Sequence, residues 1–239
     1  MVVDRNGKFV TQRERPRLAL IETSVVDRGL RLFAPTAGAV DLPEAMPGVE
    51  SRDVVVWHSR VRGLDAGDGP AQWLSSFLGV PHRILRFDRS HARRCNPEYA
   101  GDSGAHTMFA DGYPLLVIGQ SSLDDLNARL VAKGAEPLPM NRFRPNLVIA
   151  GLDPNAEDHL DTLESDGVTL RLVKPCVRCT VTTTDQASGR VGVEPLHTLS
   201  TYRRNDALAG VTFGMNAIVL RGAGGALTVN GAARVSYRF

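Results

Sequence analysis

The feature that most constrains the fold is a series of short β-prone segments separated by turn residues. Val2–Val3 and Phe9–Val10 flank Asn6-Gly7, a dipeptide typical of tight β-hairpins. Further strands are predicted at Arg17–Glu22, Gly29–Phe33 and Asp53–His58. Pro35–Glu50 is rich in proline, glycine and alanine, and we expect a long loop there. Strands this short and this close together predict a small barrel or a curled sheet for roughly the first 60 residues.

The rest of the chain mixes helices with further strands. Helices are predicted at Gly69–Gly79, where Trp73 and Phe77 repeat four residues apart, and at Ser121–Gly134. Ser121 or Ser122 caps the second helix, or else belongs to a helix N-terminus that receives a phosphate. Strands are predicted at His82–Phe87, Phe109–Gly119 and Leu147–Ala150. We therefore predict an α+β, mainly β fold with domains at 1–90 and 100–239. The linker between them is predicted within Ser90–His106, which contains an incidental Cys95.

Composition narrows the class of protein. The chain has 239 residues, a formal net charge of +2 and three cysteines. Three cysteines cannot build a disulfide framework, and no apolar run reaches the roughly 18 residues of a membrane span. We expect a cytoplasmic protein without a signal peptide and without a membrane or nucleic-acid partner, although the net charge itself is neutral evidence on nucleic acid. The most basic segment, Arg83–Arg94, is either a solvated loop or a surface that docks an acidic partner protein.

The segment with the most distinctive chemistry is Lys174–Gly189, KPCVRCTVTTTDQASG, which contains two of the three cysteines. Its predicted elements are a strand from Val168 that ends at Pro175, a strand at Thr180–Thr184 and a turn at Asp185–Gly189. On a strand, Cys176 and Cys179 would point to opposite faces. Both can therefore line one pocket only if the backbone turns between them.

Cys179 is the candidate for the reactive cysteine. Arg178 precedes it, and a neighbouring guanidinium favours the thiolate, which is the form that attacks or ligates metal. The alternatives for the pair are half of a zinc site, a dithiol redox motif or two buried structural thiols. Upstream, Arg142 and Arg144 alternate with Phe143, which predicts either an anion-binding fork or a rim ion pair.

Several separated motifs carry a resemblance to a known family. FADGYPLLVIGQSSLDDLNARL, RFRPNLVIAG and KPCVRCTVTTTDQASG, in this order, resemble a MOSC domain, the molybdenum cofactor sulfurase C-terminal type. Upstream, GKFVTQRERPRLALI and AQWLSSFL are similar to the smaller β-barrel that precedes this domain in the amidoxime-reducing members of the family and their bacterial relatives. The resemblance implies a MOSC β-barrel after that smaller barrel. Because the family's barrel has further strands upstream, we expect the start of the barrel to be missing here.

The resemblance also implies a cofactor and the residues that hold it. Molybdenum would be bound by a pterin dithiolene and by Cys179, with Cys176 packed behind the pocket. Thiolate is a fitting donor for a metal that already has soft sulfur ligands. Asp153 would lie near the metal and pass a proton. The residues implied to hold the pterin and its phosphate are Arg13, Asp111, Gly112, Tyr113, Arg144 and Asn146.

The implied activity is a two-electron reduction of N-hydroxylated compounds, such as amidoximes, hydroxylamines and N-hydroxypurines, in which the substrate oxygen leaves as water. Electrons would come from a separate flavin or iron–sulfur protein, because a plant-type cluster needs four cysteines and this chain has three. Arg83–Arg94 is the candidate docking surface for that donor. Two alternatives stay open, namely a molybdenum cofactor carrier or sulfur-transfer protein without reductase turnover, and a cofactor-free fold that binds a partner.

Overall fold

The computed structural model describes residues 1–44, 49 and 51–238 of the chain. These residues form two units, one made of residues 1–93 and 184–192 and the other of residues 94–183 and 193–239. Strands dominate both units and a few helices accompany them, which confirms the predicted α+β, mainly β class. The last residue of the chain, Phe239, lies outside the described residues.

The first unit is built on a sheet that curls back on itself. Its elements are β1 (Val2–Val3), β2 (Phe9–Val10), β3 (Glu22–Val26), β4 (Gly29–Ala34), β5 (Gly38–Pro43), β6 (Ser51–Val56), β7 (Ser59–Asp65), α1 (Asp68–Leu78) and β8 (Arg83–Phe87). One sheet has the order β2-β1-β8-β7-β6. Its two edge strands meet where Lys8, next to β2, bridges to Val55 of β6. This closure confirms the predicted small barrel, and β8 covers the outer edge of the predicted β1–β2 hairpin.

A second sheet of β3, β4 and β5 packs with α1 in the first unit. Its apolar cluster contains Leu32 and Ala34 of β4 with Trp73, Leu74 and Phe77 of α1. Helix α1 ends at Gly79 in the left-handed conformation, as predicted.

Two predictions for the first unit were wrong. Arg17–Glu22 is not a strand, because Pro16 starts a 3-10 turn at Pro16–Leu20 and fixes a helical φ at its first position. Pro35–Glu50 is not one long loop, because β5 pairs along the whole of β4 and this tertiary pairing overrides the loop-like composition. Residues 45–48 and 50 of that predicted loop lie outside the described residues.

The second unit is built on a seven-stranded sheet, antiparallel apart from one parallel pair among its described strands, and it also contains a separate two-stranded ladder. Its elements are β9 (Arg93–Arg94), α2 (Pro97–Ala100), β10 (His106–Thr107), β11 (Leu115–Gly119), α3 (Gln120–Ala132), β12 (Leu147–Ile149), β13 (Leu160–Ser165), β14 (Val168–Val177), α4 (Leu196–Ser200), β15 (Arg204–Asn205), β16 (Gly210–Arg221) and β17 (Arg234–Tyr237). The sheet order is β12-β11-β16-β14-β13-β17, and β15 pairs with β16. β12 is parallel to β11.

Apolar side chains cover both faces of this sheet. One face carries Val117, Leu170 and Met215. The other carries Ile118 and Phe213, which pack with Leu123, Leu126 and Leu130 of α3 and with Phe143. The period of the leucines in α3 was therefore a correct guide to its buried face.

The predicted linker at Ser90–His106 was wrong for most of its length. It contains α2 and the short β9–β10 ladder. Cys95 is buried in an apolar cluster with Tyr113, Val173 and Ile218. The segment therefore belongs to the core of the second unit, and Cys95 is a packed residue rather than an incidental one.

Two elements of the cysteine segment also differ from the prediction. β14 runs through Pro175, because its pairing with β16 is irregular on both sides of that residue and a bulge tolerates a missing N–H. Thr180–Thr183 forms a 3-10 turn rather than a strand. The hydroxyl of Thr182 donates to the carbonyl of Cys179 at 2.9 Å, and that of Thr183 donates to the carbonyl of Thr180 at 2.8 Å. Such local bonds compete with a β ladder.

Candidate functional site

The two cysteines of the CxxC segment lie in different backbone environments. Cys176 is the penultimate residue of β14, whereas Cys179 follows the strand and leads into the 3-10 turn. Both are free thiols of intermediate exposure. The backbone therefore turns between them, which is the condition under which both could line one pocket.

Arg178 contacts Cys176 rather than Cys179. Its Nη1 donates to Cys176 Sγ at 3.0 Å, and its Nη2 donates to the carbonyl oxygen of Phe143 at 2.7 Å. No hydrogen bond within the described residues joins Arg178 to the sulfur of Cys179. The structure therefore does not support the expectation that Arg178 favours a thiolate at Cys179. The sulfur of Cys179 has no hydrogen-bond partner within the described part of the chain, and the residue is partly exposed.

The RFRPN segment does not form the predicted extended fork. Arg142 is buried and ends a 3-10 turn at Met140–Arg142, whereas Arg144 is exposed and has a φ of 55°. This turn and the left-handed residue after it prevent the alternation of an extended segment. Only the exposed Arg144 presents its guanidinium to solvent.

Asn146 ties the start of β12 to β11. Its Oδ1 accepts from the backbone N–H of Leu116 at 2.9 Å, and its own N–H donates to the carbonyl of Leu116 at 2.9 Å. The side-chain amide nitrogen of Asn146 has no partner among the residues that the structure describes. Because Leu116 follows Tyr113 by three positions, the RPN loop and the Asp111–Tyr113 turn are held close in the second unit.

The Asp111–Tyr113 turn precedes β11. Asp111 is exposed, and a Cβ added at Gly112 would meet no atom within 4 Å. The ring of Tyr113 is buried, and its hydroxyl has no hydrogen-bond partner within the described residues. Burial raises the pKa of Tyr113 to about 12, so the phenol stays neutral and can donate a hydrogen bond.

The N-terminus of α3 is already occupied by a carboxylate of the same unit. Buried Glu157 accepts from the backbone N–H of Gly119 at 3.1 Å and from the hydroxyl of Ser122 at 2.7 Å. The predicted capping role of the serines is not found, because α3 starts at Gln120 without a side-chain cap. Glu157 is a buried hydrogen-bond acceptor at the start of α3. Sequence reasoning missed it, and no local pattern could have revealed it.

Asp153 lies on the loop after β12. It is exposed, and its backbone carbonyl accepts from the N–H of Ala156 at 3.1 Å. Its carboxylate has no hydrogen-bond or ion-pair partner among the described residues. Its proton-transfer role remains a prediction.

Arg13 belongs to the first unit. Its guanidinium lies over the ring of Trp57, 4.6 Å from the centroid, and Phe9 packs on the same ring. Trp57 has a φ of 55°, a strained value for an aromatic residue in a hairpin turn. Arg13 is thus held by stacking, and its role in cofactor binding remains a prediction from the resemblance.

Two further hypotheses can be compared with the structure. The basic run Arg83–Arg94 is not one solvated surface, because Arg83 forms ion pairs with Asp65 and Asp68 and Arg93 is buried.

Within the described residues, no three side chains of His, Cys, Asp or Glu cluster closely enough to hold a metal.

In the second unit, the structure brings the cysteine segment and the RFRPN segment together. The 3-10 turns Met140–Arg142 and Thr180–Thr183 lie against each other. The contact from Arg178 to Phe143 joins the same two segments. Asn146 then connects them to the strand that follows Asp111–Tyr113.

The fold and this group of motifs define the chain as a member of the MOSC family. Residues 104–230 match the MOSC domain, and residues 1–81 match the MOSC N-terminal beta barrel domain. No helix in the described part of the chain is long and apolar enough to cross a membrane.

Named relatives cover most of the chain. It is 35% identical over 212 residues to human "Mitochondrial amidoxime-reducing component 1", an alignment that covers 86% of this chain and 61% of the relative. It is 32% identical over 211 residues to "Mitochondrial amidoxime reducing component 2" of Bos taurus, with coverages of 86% and 62%. The chain thus spans about three fifths of the length of these curated relatives.

Proposed function

We propose that this chain is a molybdenum-cofactor-dependent oxidoreductase that reduces N-hydroxylated compounds. The observation that carries the proposal is the thiol of Cys179, which is partly exposed and has no hydrogen-bond partner among the described residues. It follows Arg178, whose guanidinium binds the carbonyl of Phe143 just before Arg144. The names of the relatives, amidoxime-reducing components, support the reaction class.

The free groups of the second unit fit such a cofactor. They comprise a soft sulfur donor at Cys179, an exposed guanidinium at Arg144, an amide nitrogen at Asn146 and a buried phenol at Tyr113 that lacks a partner within the described residues. The open space around Gly112 leaves room for a flat ring beside the backbone. Each of these groups is complementary to one part of a pterin that carries a metal and a phosphate.

We propose the following roles for these residues. Cys179 would ligate the metal through its thiolate. Arg144 would hold the anionic end of the pterin, and Asn146 and Tyr113 would donate hydrogen bonds to the ring. Arg13 and Asp111 are proposed as further contacts. When bound, the cofactor would supply a two-electron reduction in which the N–O oxygen of the substrate leaves as water. Asp153 would hold and pass a proton toward that oxygen.

Molybdenum quantification tests the proposal. The chain is produced together with the cofactor pathway, and molybdenum per chain is measured for the wild type, Cys179→Ser and Cys176→Ser. We expect the wild type and Cys176→Ser to retain metal and Cys179→Ser to lose it by about tenfold or more. Loss in Cys176→Ser alone would contradict the assignment of the ligand.

Turnover separates the reductase from the alternative. With a chemically reduced viologen dye as electron donor, the metal-loaded wild type should convert benzamidoxime to benzamidine. A chain that binds the cofactor but converts no N-hydroxylated substrate would instead be a cofactor carrier or a sulfur-transfer protein.

A separate flavin or iron–sulfur protein is the proposed physiological donor, and a cytoplasmic location is part of the same proposal. Relatives whose names include "mitochondrial" make location a point that needs its own measurement. Fractionation of the source cells, followed by immunodetection of this chain, tests it.

A further inference from the structure

Arg178 stands between the two cysteines, and its backbone is anchored to the sheet of the second unit. Its N–H donates to the carbonyl of Val211, the second residue of β16, at 2.8 Å. The residue is only half-exposed. Its side chain therefore leaves a fixed backbone position and reaches its partners from there.

The guanidinium of Arg178 joins two segments that are 35 positions apart in sequence. Nη2 donates to the carbonyl of Phe143 at 2.7 Å, and Nη1 donates to Cys176 Sγ at 3.0 Å. The ring of Phe143 lies 5.6 Å from the guanidinium carbon, and it is itself locked against Phe213 at 4.4 Å between centroids. A planar fork with several donors can make both bonds at once, whereas a lysine ammonium has no such geometry.

The carbonyl of Phe143 belongs to the peptide unit that ends at the nitrogen of Arg144. A hydrogen bond to that oxygen sets the orientation of this peptide plane. Arg144 has a φ of 55°, which costs a residue with a Cβ on the order of 1 kcal/mol and persists only where the surroundings impose it. Arg178 supplies such a constraint, because a charge-assisted bond is stronger than a neutral one.

We propose that Arg178 is a positioning residue that fixes Cys179 and Arg144 relative to each other. This inference rests on the proposed function, in which Cys179 ligates the metal and Arg144 holds the pterin. Each Nη atom makes one hydrogen bond to a protein atom, and Nε is buried and lacks a partner among the described residues. The side chain holds the CxxC segment and the RFRPN segment in a fixed relative position.

The test compares Arg178→Met and Arg178→Lys with Arg171→Met, all produced with the cofactor pathway. Arg171 is a matched control because it lies on β14 of the same unit, is exposed and only weakly pairs with Asp161, at 3.7 Å. Molybdenum per chain is measured first. We expect both Arg178 variants to fall by about tenfold or more, as for other residues that orient a metal ligand, and Arg171→Met to match the wild type.

A second readout distinguishes positioning from a loss of stability. A variant that is merely less stable would contain fewer loaded molecules, but its turnover per molybdenum and the electron paramagnetic resonance spectrum of its one-electron-reduced metal, Mo(V), would be those of the wild type. Positioning predicts a changed spectrum and a kcat per molybdenum lowered by about fivefold or more, with a smaller change in KM. If Arg178→Met does not fold, Arg178→Lys, which keeps the charge and the stem, provides the same measurement.

The outcomes separate this inference from the proposed function. Full metal content, an unchanged spectrum and unchanged turnover per metal in Arg178→Lys and Arg178→Met would overturn the positioning role and leave the proposed function standing. A wild type and an Arg171→Met that both hold no molybdenum would overturn the proposed function, and the positioning role with it.

Discussion

At the scale of single residues, the second unit contains a buried polar group with no partner in the described part of the chain. The hydroxyl of Tyr113 lies in the apolar cluster around Cys95. An unsatisfied hydroxyl in such surroundings destabilises a fold by about 1 kcal/mol or more. Under the proposed function, this hydroxyl would gain a partner when the cofactor binds.

We predict that Tyr113→Phe raises the free energy of unfolding of the cofactor-free protein by about 1 kcal/mol at pH 7, because it removes the unsatisfied hydroxyl. Urea denaturation followed by far-UV circular dichroism measures this. Tyr237→Phe, an exposed tyrosine of the same unit, is the control and should leave the stability unchanged. A Tyr113→Phe protein less stable than the wild type would mean that the hydroxyl has a stabilising partner.

The dependence of stability on pH above pH 10 provides a second measurement of the same prediction. Burial holds the pKa of Tyr113 at about 12, above the ordinary tyrosine value of about 10. The neutral phenol is therefore favoured in the folded state, and its contribution is present below pH 10 and lost as the pH rises toward 12. In Tyr113→Phe, this part of the loss of stability between pH 10 and 12 should disappear.

At the scale of elements, the close approach of β11 and β16 explains why position 214 is a glycine. Gly214 lies in β16 with a φ of 75°, and an added Cβ would stand 2.6 Å from Ile118 Cγ1 and 2.8 Å from the carbonyl oxygen of Val117. We predict that Gly214→Ala lowers the free energy of unfolding by about 3 kcal/mol or more, because backbone strain and overpacking act together.

The matched control for this prediction is Gly112→Ala in the same unit, where an added Cβ meets no atom within 4 Å. Its stability should stay within about 0.5 kcal/mol of the wild type in the same urea denaturation. Equal effects of the two substitutions would show that the β11–β16 contact is looser than the structure has it.

Ion pairing ties together several elements of the first unit around buried Asp65 in β7. Arg83 of β8 binds both carboxylate oxygens, at 2.6 and 2.9 Å, and Arg52 of β6 lies at 2.7 Å. Burial raises the pKa of Asp65, but the hydrogen bonds from Arg83 and the Gly67 N–H, with the charges of Arg83 and Arg52, bring it below its ordinary value. The carboxylate therefore stabilises the unit above about pH 4, and this contribution is lost as the pH falls through the lower folded value.

We predict that Asp65→Asn lowers the free energy of unfolding of the first unit by about 2 kcal/mol at pH 7 and flattens the loss of stability below pH 4. Urea denaturation at a series of pH values measures both effects. Asp41→Asn breaks the exposed Arg31–Asp41 pair of the same unit and should leave the denaturation curve almost unchanged. An acid profile of Asp65→Asn that parallels the wild type would rule out Asp65 as the titrating group.

Elements whose signal is local were predictable from the sequence, and elements fixed by distant contacts were not. The Asn6-Gly7 hairpin, the leucine face of α3 and the Gly79 end of α1 depend on a few neighbouring residues. β5, in contrast, exists because β4 pairs with it, and β14 passes Pro175 because β16 accommodates a bulge. The CxxC segment marked the candidate site, but the partner of Arg178 lies 35 positions away, and no local pattern records that contact.

At the scale of the whole molecule, the chain leaves its second unit after Thr183, contributes residues 184–192 to the first unit, and then returns. This segment is closed by an antiparallel bridge between Thr184 and Val191. It is fixed within the first unit by a reciprocal amide pair of Gln12 and Gln186, at 3.0 and 3.1 Å. The first unit is therefore not a continuous stretch of sequence, and a fragment cut after residue 93 lacks one of its parts.

Tryptophan fluorescence can follow the first unit alone, because both tryptophans of the chain, Trp57 and Trp73, belong to it. We predict that a fragment of residues 1–93 unfolds at a lower urea concentration than the same unit in the whole chain. The difference should correspond to about 1–2 kcal/mol, the value of the lost amide bonds. The same fragment with residues 184–192 attached through a flexible Gly-Ser linker should recover most of this difference.

As a control, residues 94–239 with 184–192 replaced by three glycines should keep the circular dichroism of a folded β-rich unit, because the bridged ends of the segment are adjacent. Equal midpoints for the first fragment with and without the segment would show that residues 184–192 do not stabilise the unit to which they belong.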